Sequence, residues 1–261
     1  MELPRIARGR HLVSERAEGV LSLLYAAGER PTADDVARLL DEPVDGGGQG
    51  ARISHRPDES EGWVELLASG LTFDLSGLAP APAKRPAPSA HVFGLSADVN
   101  GPALEAVLLT PGEHTVPGAA MLPIVRVMCG LGARLASLGS VKAICWNPAR
   151  SWMEPAYFKR IVASWLGGGA FPALGLAALS RTPDGALQSY GLAFFTGQEM
   201  RVDALPGEPP AATAKLAIRM MDLIVRQGRV RESFYVPGPD GKLLHAEPSP
   251  GGEIVLVRRG E

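Results

Sequence analysis

A proline-rich segment at residues 77–90 constrains the fold of this chain more than any other feature. Its sequence, GLAPAPAKRPAPSA, holds four prolines and one Lys-Arg pair. Proline fixes the backbone φ angle and has no N–H to donate, so we expect this segment to be extended and exposed. We predict that it is a linker between two subdomains. A loop within a single domain is the alternative.

The first predicted subdomain covers residues 19–76 and has a β-α-β-β pattern. An apolar run at 19–26 predicts a strand. Thr32, followed by acidic residues and an apolar stripe, predicts a capped helix. Two more runs, ARISHR and GWVELLASGLTF, predict the remaining strands. Residues 1–18 show no such pattern, and we expect a flexible N-terminal arm there.

The second predicted subdomain covers residues 91–261. Apolar residues at steps of three and four predict helices at 121–138 and 209–227. Two apolar runs around Pro183-Asp184-Gly185 predict a β-hairpin. Together these patterns predict an α+β fold, with a mixed, mostly antiparallel sheet and helices packed on one side. The same layout is compatible with two ferredoxin-like (split β-α-β) subdomains.

Composition excludes several classes of protein. The 261 residues are 46% hydrophobic and 21% charged, which is typical of a globular protein, and the formal net charge is −2. A balanced charge argues against nucleic acid as a partner. No apolar run reaches the length of a membrane span, so we expect no membrane partner. The two cysteines, without an export signal, indicate reduced thiols in the cytoplasm.

Motifs for catalysis, metals and cofactors are missing from the sequence. No two of the five histidines have metal-ligand spacing, and we expect no metal. Neither a Walker A sequence nor a dinucleotide fingerprint occurs, so we expect no cofactor. Cys145 ends a predicted strand, where many α/β active sites lie. Cysteine in the apolar run AICW is more often inert and buried, so a thiol nucleophile at Cys145 remains the alternative.

An aromatic cluster supplies the candidate binding residues. Large aromatic side chains are concentrated between positions 146 and 165, although only 6% of the chain is aromatic. A packed corner of the core explains such a cluster most simply. The functional alternative is a surface that binds a partner, because large aromatics anchor interfaces. For that site we predict Trp146, Trp152, Met153 and Tyr157, with Trp152 and Met153 in an exposed loop.

The order of these landmarks resembles the bacterial family called domain of unknown function 4261. The likeness lies in SLLYAAGERPTADDVARLL, in VKAICWNPA after the long helix, in GLAFFTGQEMRVD and in GPDGKLLHAEPSPGGEIVLVR. It covers most of residues 19–258. The resemblance implies a soluble bacterial protein and supplies no catalytic residues. Some orphan domains of this kind belong to secretion or toxin–immunity settings.

From these patterns we predict a non-catalytic, cytoplasmic bacterial protein that binds another macromolecule, with a protein as the expected partner. Two alternatives stay open. One is a hydrolase with a thiol nucleophile at Cys145. The other is a domain that binds a small ligand near Trp146.

Overall fold

The computed structural model describes residues 20–43, 50–96, 99, 103–205, 207–238 and 241–259. The fold is α+β, as predicted, with two mixed, mostly antiparallel sheets of eight and six strands. Two compact units divide the chain between Leu166 and Gly167. The predicted flexible arm, 1–18, lies outside the described residues.

The first unit contains the eight-stranded sheet, whose order is β2-β3-β4-β6-β1-β7-β8-β5. Its strands are β1 (Leu21–Ala26), β2 (Ala51–His55), β3 (Trp63–Ala68), β4 (Leu71–Ser76), β5 (His91–Phe93), β6 (Leu104–Pro111), β7 (Ala143–Trp146) and β8 (Ser151–Met153). Its helices are α1 (Ala33–Asp41), α2 (Leu122–Leu135) and α3 (Pro155–Leu166). All neighbouring strands are antiparallel except the edge pair β5 and β8, which is parallel.

The helices of this unit begin and pack as their sequences require. Thr32 caps α1 by a capping box with Asp35, which satisfies free N–H groups of the first turn. Arg134 on α2 donates to the carbonyl of Leu39 at the other end of α1 (2.9 Å). Helix α2 passes close to β1, because a Cβ at Gly132 would lie 2.8 Å from Leu21. The helix α3 packs against α2 and β7.

Strand alternation gives the eight-stranded sheet two different faces. Leu21 points to the helix side, because it meets Gly132 of α2. Leu24 therefore points to the opposite side. There it forms a buried cluster with Ala106, Leu108, Ala143, Cys145 and Trp152. Leu104 of β6 and the residues Leu95 and Val99, which follow β5, pack against this cluster.

Strand β6 is central to the sheet, but none of the sequence patterns described above predicts it. It pairs with β1 on one side and with β4 on the other. Strands from before and after the proline-rich segment thus share one sheet. The chain therefore has no boundary between compact units at 77–90, where the sequence predicted one. The boundary lies at 166/167, within the predicted larger subdomain 91–261. Sheets of eight and six strands also differ from the four-stranded ferredoxin-like layout considered for the two subdomains.

The second unit contains the six-stranded sheet, in the order β12-β13-β14-β11-β10-β9. Its strands are β9 (Ala178–Arg181), β10 (Leu187–Tyr190), β11 (Glu199–Val202), β12 (Phe234–Pro237), β13 (Leu243–Pro248) and β14 (Ile254–Arg259). Its helices are α4 (Ala193–Thr196) and α5 (Pro210–Gln227). The predicted hairpin is confirmed as β9–β10. Helix α5 packs on β10 and β11. None of the helices in the described ranges is long and apolar enough to cross a membrane.

Candidate functional site

A cavity of about 830 Å³ opens on the face of the eight-stranded sheet that lies opposite the helices. One wall is formed by residues 85–89 of the proline-rich segment, and the other by Val92, Leu95, Ser96 and Val99. Trp152 also lines the cavity. Seven of the ten lining residues are apolar, and the volume is in the range of small-molecule sites.

Trp152 is held in the sheet by its two neighbouring strands. It lies in the middle of β8, opposite Cys145 on β7 and opposite Val92 on the edge strand β5. Its indole N–H donates to the carbonyl of Ala87 at 3.2 Å. The side chain is only 5% exposed. Trp152 therefore joins the sheet to the proline-rich segment that forms one wall of the cavity.

The proline-rich segment is hydrogen-bonded to the sheet, whereas a linker between subdomains was predicted. Arg30 donates to the carbonyls of Gly77 (2.7 Å) and Ala81 (2.9 Å). Leu78 is fully buried. Further along, the carbonyl of Lys84 accepts from the N–H of Ala106 at 2.9 Å. The prolines do leave most of residues 82–90 exposed, but carbonyl oxygens can still accept hydrogen bonds where proline removes donors.

Gly62 allows the start of this segment to approach β3. Its φ is +65°, and a Cβ there would lie 2.2 Å from the Cβ of Ala81 and 2.8 Å from the carbonyl oxygen of Leu78. Gly62 also accepts hydrogen bonds from the N–H groups of Gly77 and Leu78, both at 2.9 Å. A side chain at position 62 would push the segment away from the sheet.

Basic residues lie in and beside the proline-rich wall of the cavity. Arg85 is the charged residue among those that line it. Arg150 donates from Nε to the carbonyl of Pro88 in the same wall (3.3 Å). Burial lowers the pKa of His91, and the positive charge of Arg150 lowers it further. Partial burial also lowers the pKa of Lys84, whose ammonium donates to the Ser76 hydroxyl at 2.8 Å.

The structure separates the four residues predicted to bind a partner. Trp152 and Met153 lie in β8 rather than in an exposed loop, and both are buried. Because neighbouring residues of a strand point to opposite faces, Trp146 and Met153 are on the helix side while Trp152 lines the cavity. Tyr157 is on α3, where its ring stacks on Phe93 with centroids 6.0 Å apart. Of the four, Trp152 lines the cavity.

Cys145 lies in the core beneath the cavity and has no exposed surface. Its thiol donates to the amide oxygen of Asn147 at 2.8 Å, and the amide nitrogen of Asn147 donates to the hydroxyl of Ser22 at 3.2 Å. A carboxamide is not a base, so this contact does not activate the thiol. The other cysteine, Cys129, is also buried, and burial raises the pKa of its thiol.

The proline-rich wall of the cavity was missed because its sequence has the composition of a linker. Residues 86–89 alternate proline with small residues, a pattern also found in solvated spacers. The single available signal was Trp152, an aromatic residue interpreted as lying in a loop. Within the described part of the chain, no group of three or more His, Cys, Asp and Glu side chains could hold a metal ion.

Comparisons with protein-family models, with curated proteins and with solved structures found no match. The resemblance to domain of unknown function 4261 stays a prediction from the sequence.

Proposed function

We propose that this chain is a binding protein and that a small organic ligand occupies the cavity beside Trp152. The observation that carries this proposal is the cavity itself, a space of about 830 Å³ with a mostly apolar lining. Apolar lining with a few polar groups is typical of sites for small molecules. Burial of an apolar ligand there would contribute about 25 cal/mol of binding free energy for each Å² of apolar surface removed from water.

The position of the walls supports a preformed site. Trp152 holds the wall at Ala87 by a hydrogen bond, and Arg150 holds it at Pro88. Proline residues in this wall have little conformational freedom to lose when a ligand binds. Ligand binding would therefore cost little conformational entropy in this wall.

A protein partner is the second candidate, and the exposure of Val92 favours it. Val92 is 55% exposed and lies on β5, an edge strand of the eight-stranded sheet. Edge strands can pair with an extended segment of another protein. An apolar side chain of that segment would then enter the cavity. This second candidate keeps the macromolecular partner that the sequence favours.

A thiol hydrolase receives less support. A nucleophile must reach its substrate, whereas Cys145 is fully buried and its thiol contacts the amide oxygen of Asn147. We further propose a cytoplasmic location, because neither Cys129 nor Cys145 forms a disulfide, as is usual in a reducing compartment.

The proposal is tested with N-phenyl-1-naphthylamine, a neutral aromatic probe that fluoresces in apolar sites. We expect saturable binding to the wild-type chain. Two variants, Ala87→Leu and Val99→Phe, enlarge side chains that line the cavity, and each should weaken binding at least about tenfold. Ala163→Leu makes the same change on the exposed side of α3 and should leave binding unchanged.

Circular dichroism and thermal unfolding check that each variant is folded. The proposal is overturned if the probe does not bind, or if folded Ala87→Leu and Val99→Phe proteins bind it as well as the wild type does. Strong binding only of a protein partner that pairs with β5 would support the second candidate instead.

A further inference from the structure

The charges around the cavity point to the class of its ligand, and this inference rests on the proposed function. Arg85 is the one charged residue among the ten described as lining the cavity. The two other polar residues in that set, Ser89 and Ser96, carry hydroxyl groups, which can donate a hydrogen bond to an anion. The lining thus combines apolar surface with donors and a positive charge.

One further positive charge lies beside the cavity. Arg150 is bonded to the same wall at Pro88, whereas Lys84, which precedes the wall, directs its ammonium to the Ser76 hydroxyl at 2.8 Å. A guanidinium group binds carboxylate, sulfonate and phosphate groups through paired N–H donors. Arginine beside apolar surface is complementary to a molecule with an anionic end and an apolar body.

No carboxylate is found among the described residues that line the cavity. Glu105, on β6, accepts from Nε of Arg30 at 2.7 Å and from the N–H of Gly28 at 3.1 Å. Glu154 lies against Gly94, which follows β5. Within the described part of the chain, therefore, the lining offers Arg85 no carboxylate partner.

We infer that the ligand is an amphipathic organic anion, free in solution, whose apolar body lies against Trp152 and whose single acidic group binds Arg85. A neutral molecule of the same shape would enter the cavity but would leave the guanidinium without its anion.

The test compares two probes that share one aromatic skeleton. 8-Anilinonaphthalene-1-sulfonate carries a sulfonate group, and N-phenyl-1-naphthylamine does not. We expect the wild-type chain to bind the sulfonate about tenfold more tightly, as for one charge-assisted contact. Added salt should weaken binding of the sulfonate but not of the neutral probe.

Arg85→Gln should remove the preference, by weakening sulfonate binding about tenfold while changing binding of the neutral probe less than about twofold. Arg85→Glu should reverse the preference. Arg52→Gln is the matched control, since Arg52 is also exposed and lies on β2 at the opposite edge of the same sheet. Both probes should bind that variant as they bind the wild type.

The outcomes separate the two proposals. If the neutral probe binds in a way that Ala87→Leu abolishes, but the sulfonate binds no more tightly or keeps its advantage in Arg85→Gln, the inference about the anion is overturned and the binding function stands. If neither probe binds in a way that depends on Ala87, both proposals are overturned.

Discussion

The indole N–H of Trp152 donates to the carbonyl oxygen of Ala87 at 3.2 Å, and this bond joins a buried strand to the proline-rich wall of the cavity. Trp152 itself is 5% exposed. Replacing it by alanine would empty a large volume in the core, at a cost of about 3–5 kcal/mol. Trp152→Phe is the better test of the hydrogen bond, because phenylalanine keeps most of the apolar contacts and lacks the donor.

Trp152→Phe should loosen the wall without unfolding the unit. Without the hydrogen bond to Ala87, residues 82–90 should detach from the sheet more often. Trypsin should then cut after Lys84 several times faster than in the wild type. Mass spectrometry of timed digests locates the cut. Trp165→Phe provides the control, because Trp165 is equally buried but lies on α3, on the helix side of the sheet. Equal cleavage rates for wild type and Trp152→Phe would show that this bond does not hold the segment.

Gly62→Ala should destabilise the first unit more than Gly70→Ala does. Both glycines have positive φ, +65° and +77°, so both alanines incur about 1–2 kcal/mol of backbone strain. Only at Gly62 would the new Cβ also meet Ala81 and Leu78; at Gly70 nothing lies within 4 Å. We expect the Gly62 variant to lose at least about 1 kcal/mol more, measured by urea unfolding. Equal losses would mean that the segment does not pack against β3 as described.

Both thiols should be protected in the folded protein. Cys129 and Cys145 are each fully buried, and burial raises the pKa of Cys129, so its reactive thiolate is rare near neutral pH. A colourimetric disulfide reagent should react slowly with the native chain and rapidly with two thiols per chain in denaturant. Fast, pH-dependent reaction of Cys145 in the native protein would instead indicate an accessible, activated thiolate and would favour the hydrolase.

We expect the ionisation of Glu199 to lower the free energy of unfolding as the pH rises above the ordinary pKa of a glutamate side chain. Burial raises the pKa of Glu199 and outweighs its hydrogen bonds from the Ser189 hydroxyl and from the N–H groups of Gly191 and Ala193. The folded chain therefore holds this proton more tightly than the unfolded chain. The stabilisation is complete below the ordinary pKa and is lost as pH rises through the raised one.

Glu199→Gln removes this titration. Urea unfolding at several pH values between 4 and 8 should show a smaller loss of stability with rising pH in this variant than in the wild type. Glu253→Gln changes an exposed carboxylate of the same unit and should keep the wild-type slope. The account of Glu199 fails if its variant also keeps that slope.

The sequence predicted those features whose start, turn or end is set by residues close together in the chain. The cap at Thr32, the hairpin around Asp184 and the end of α5 at Gly228 follow from residues that act on their own backbone. The central strand β6 was not predicted, because its place in the sheet depends on pairing with β1 and β4, which lie far from it in the chain. The short strand β8 exists only because β7 and β5 pair with it.

The cavity depends on contacts between residues far apart in the chain. Arg30 binds Gly77 and Ala81 across about fifty positions, and Trp152 binds Ala87 from 65 positions away. Proline-rich sequence alone does not distinguish a solvated linker from a segment fixed by such contacts. The sequence did identify Trp152, but its burial and its orientation follow from the sheet.

The most direct test of the ligand cavity uses the indole N–H signals in a ¹⁵N-labelled sample. The chain has four tryptophans, and Trp152→Phe assigns the Trp152 signal by its disappearance. On titration with 8-anilinonaphthalene-1-sulfonate, we predict a saturable shift of the Trp152 signal, with much smaller shifts for Trp63, Trp146 and Trp165. A titration that leaves Trp152 unmoved, or that shifts another tryptophan instead, would contradict the assignment of this cavity as the binding site.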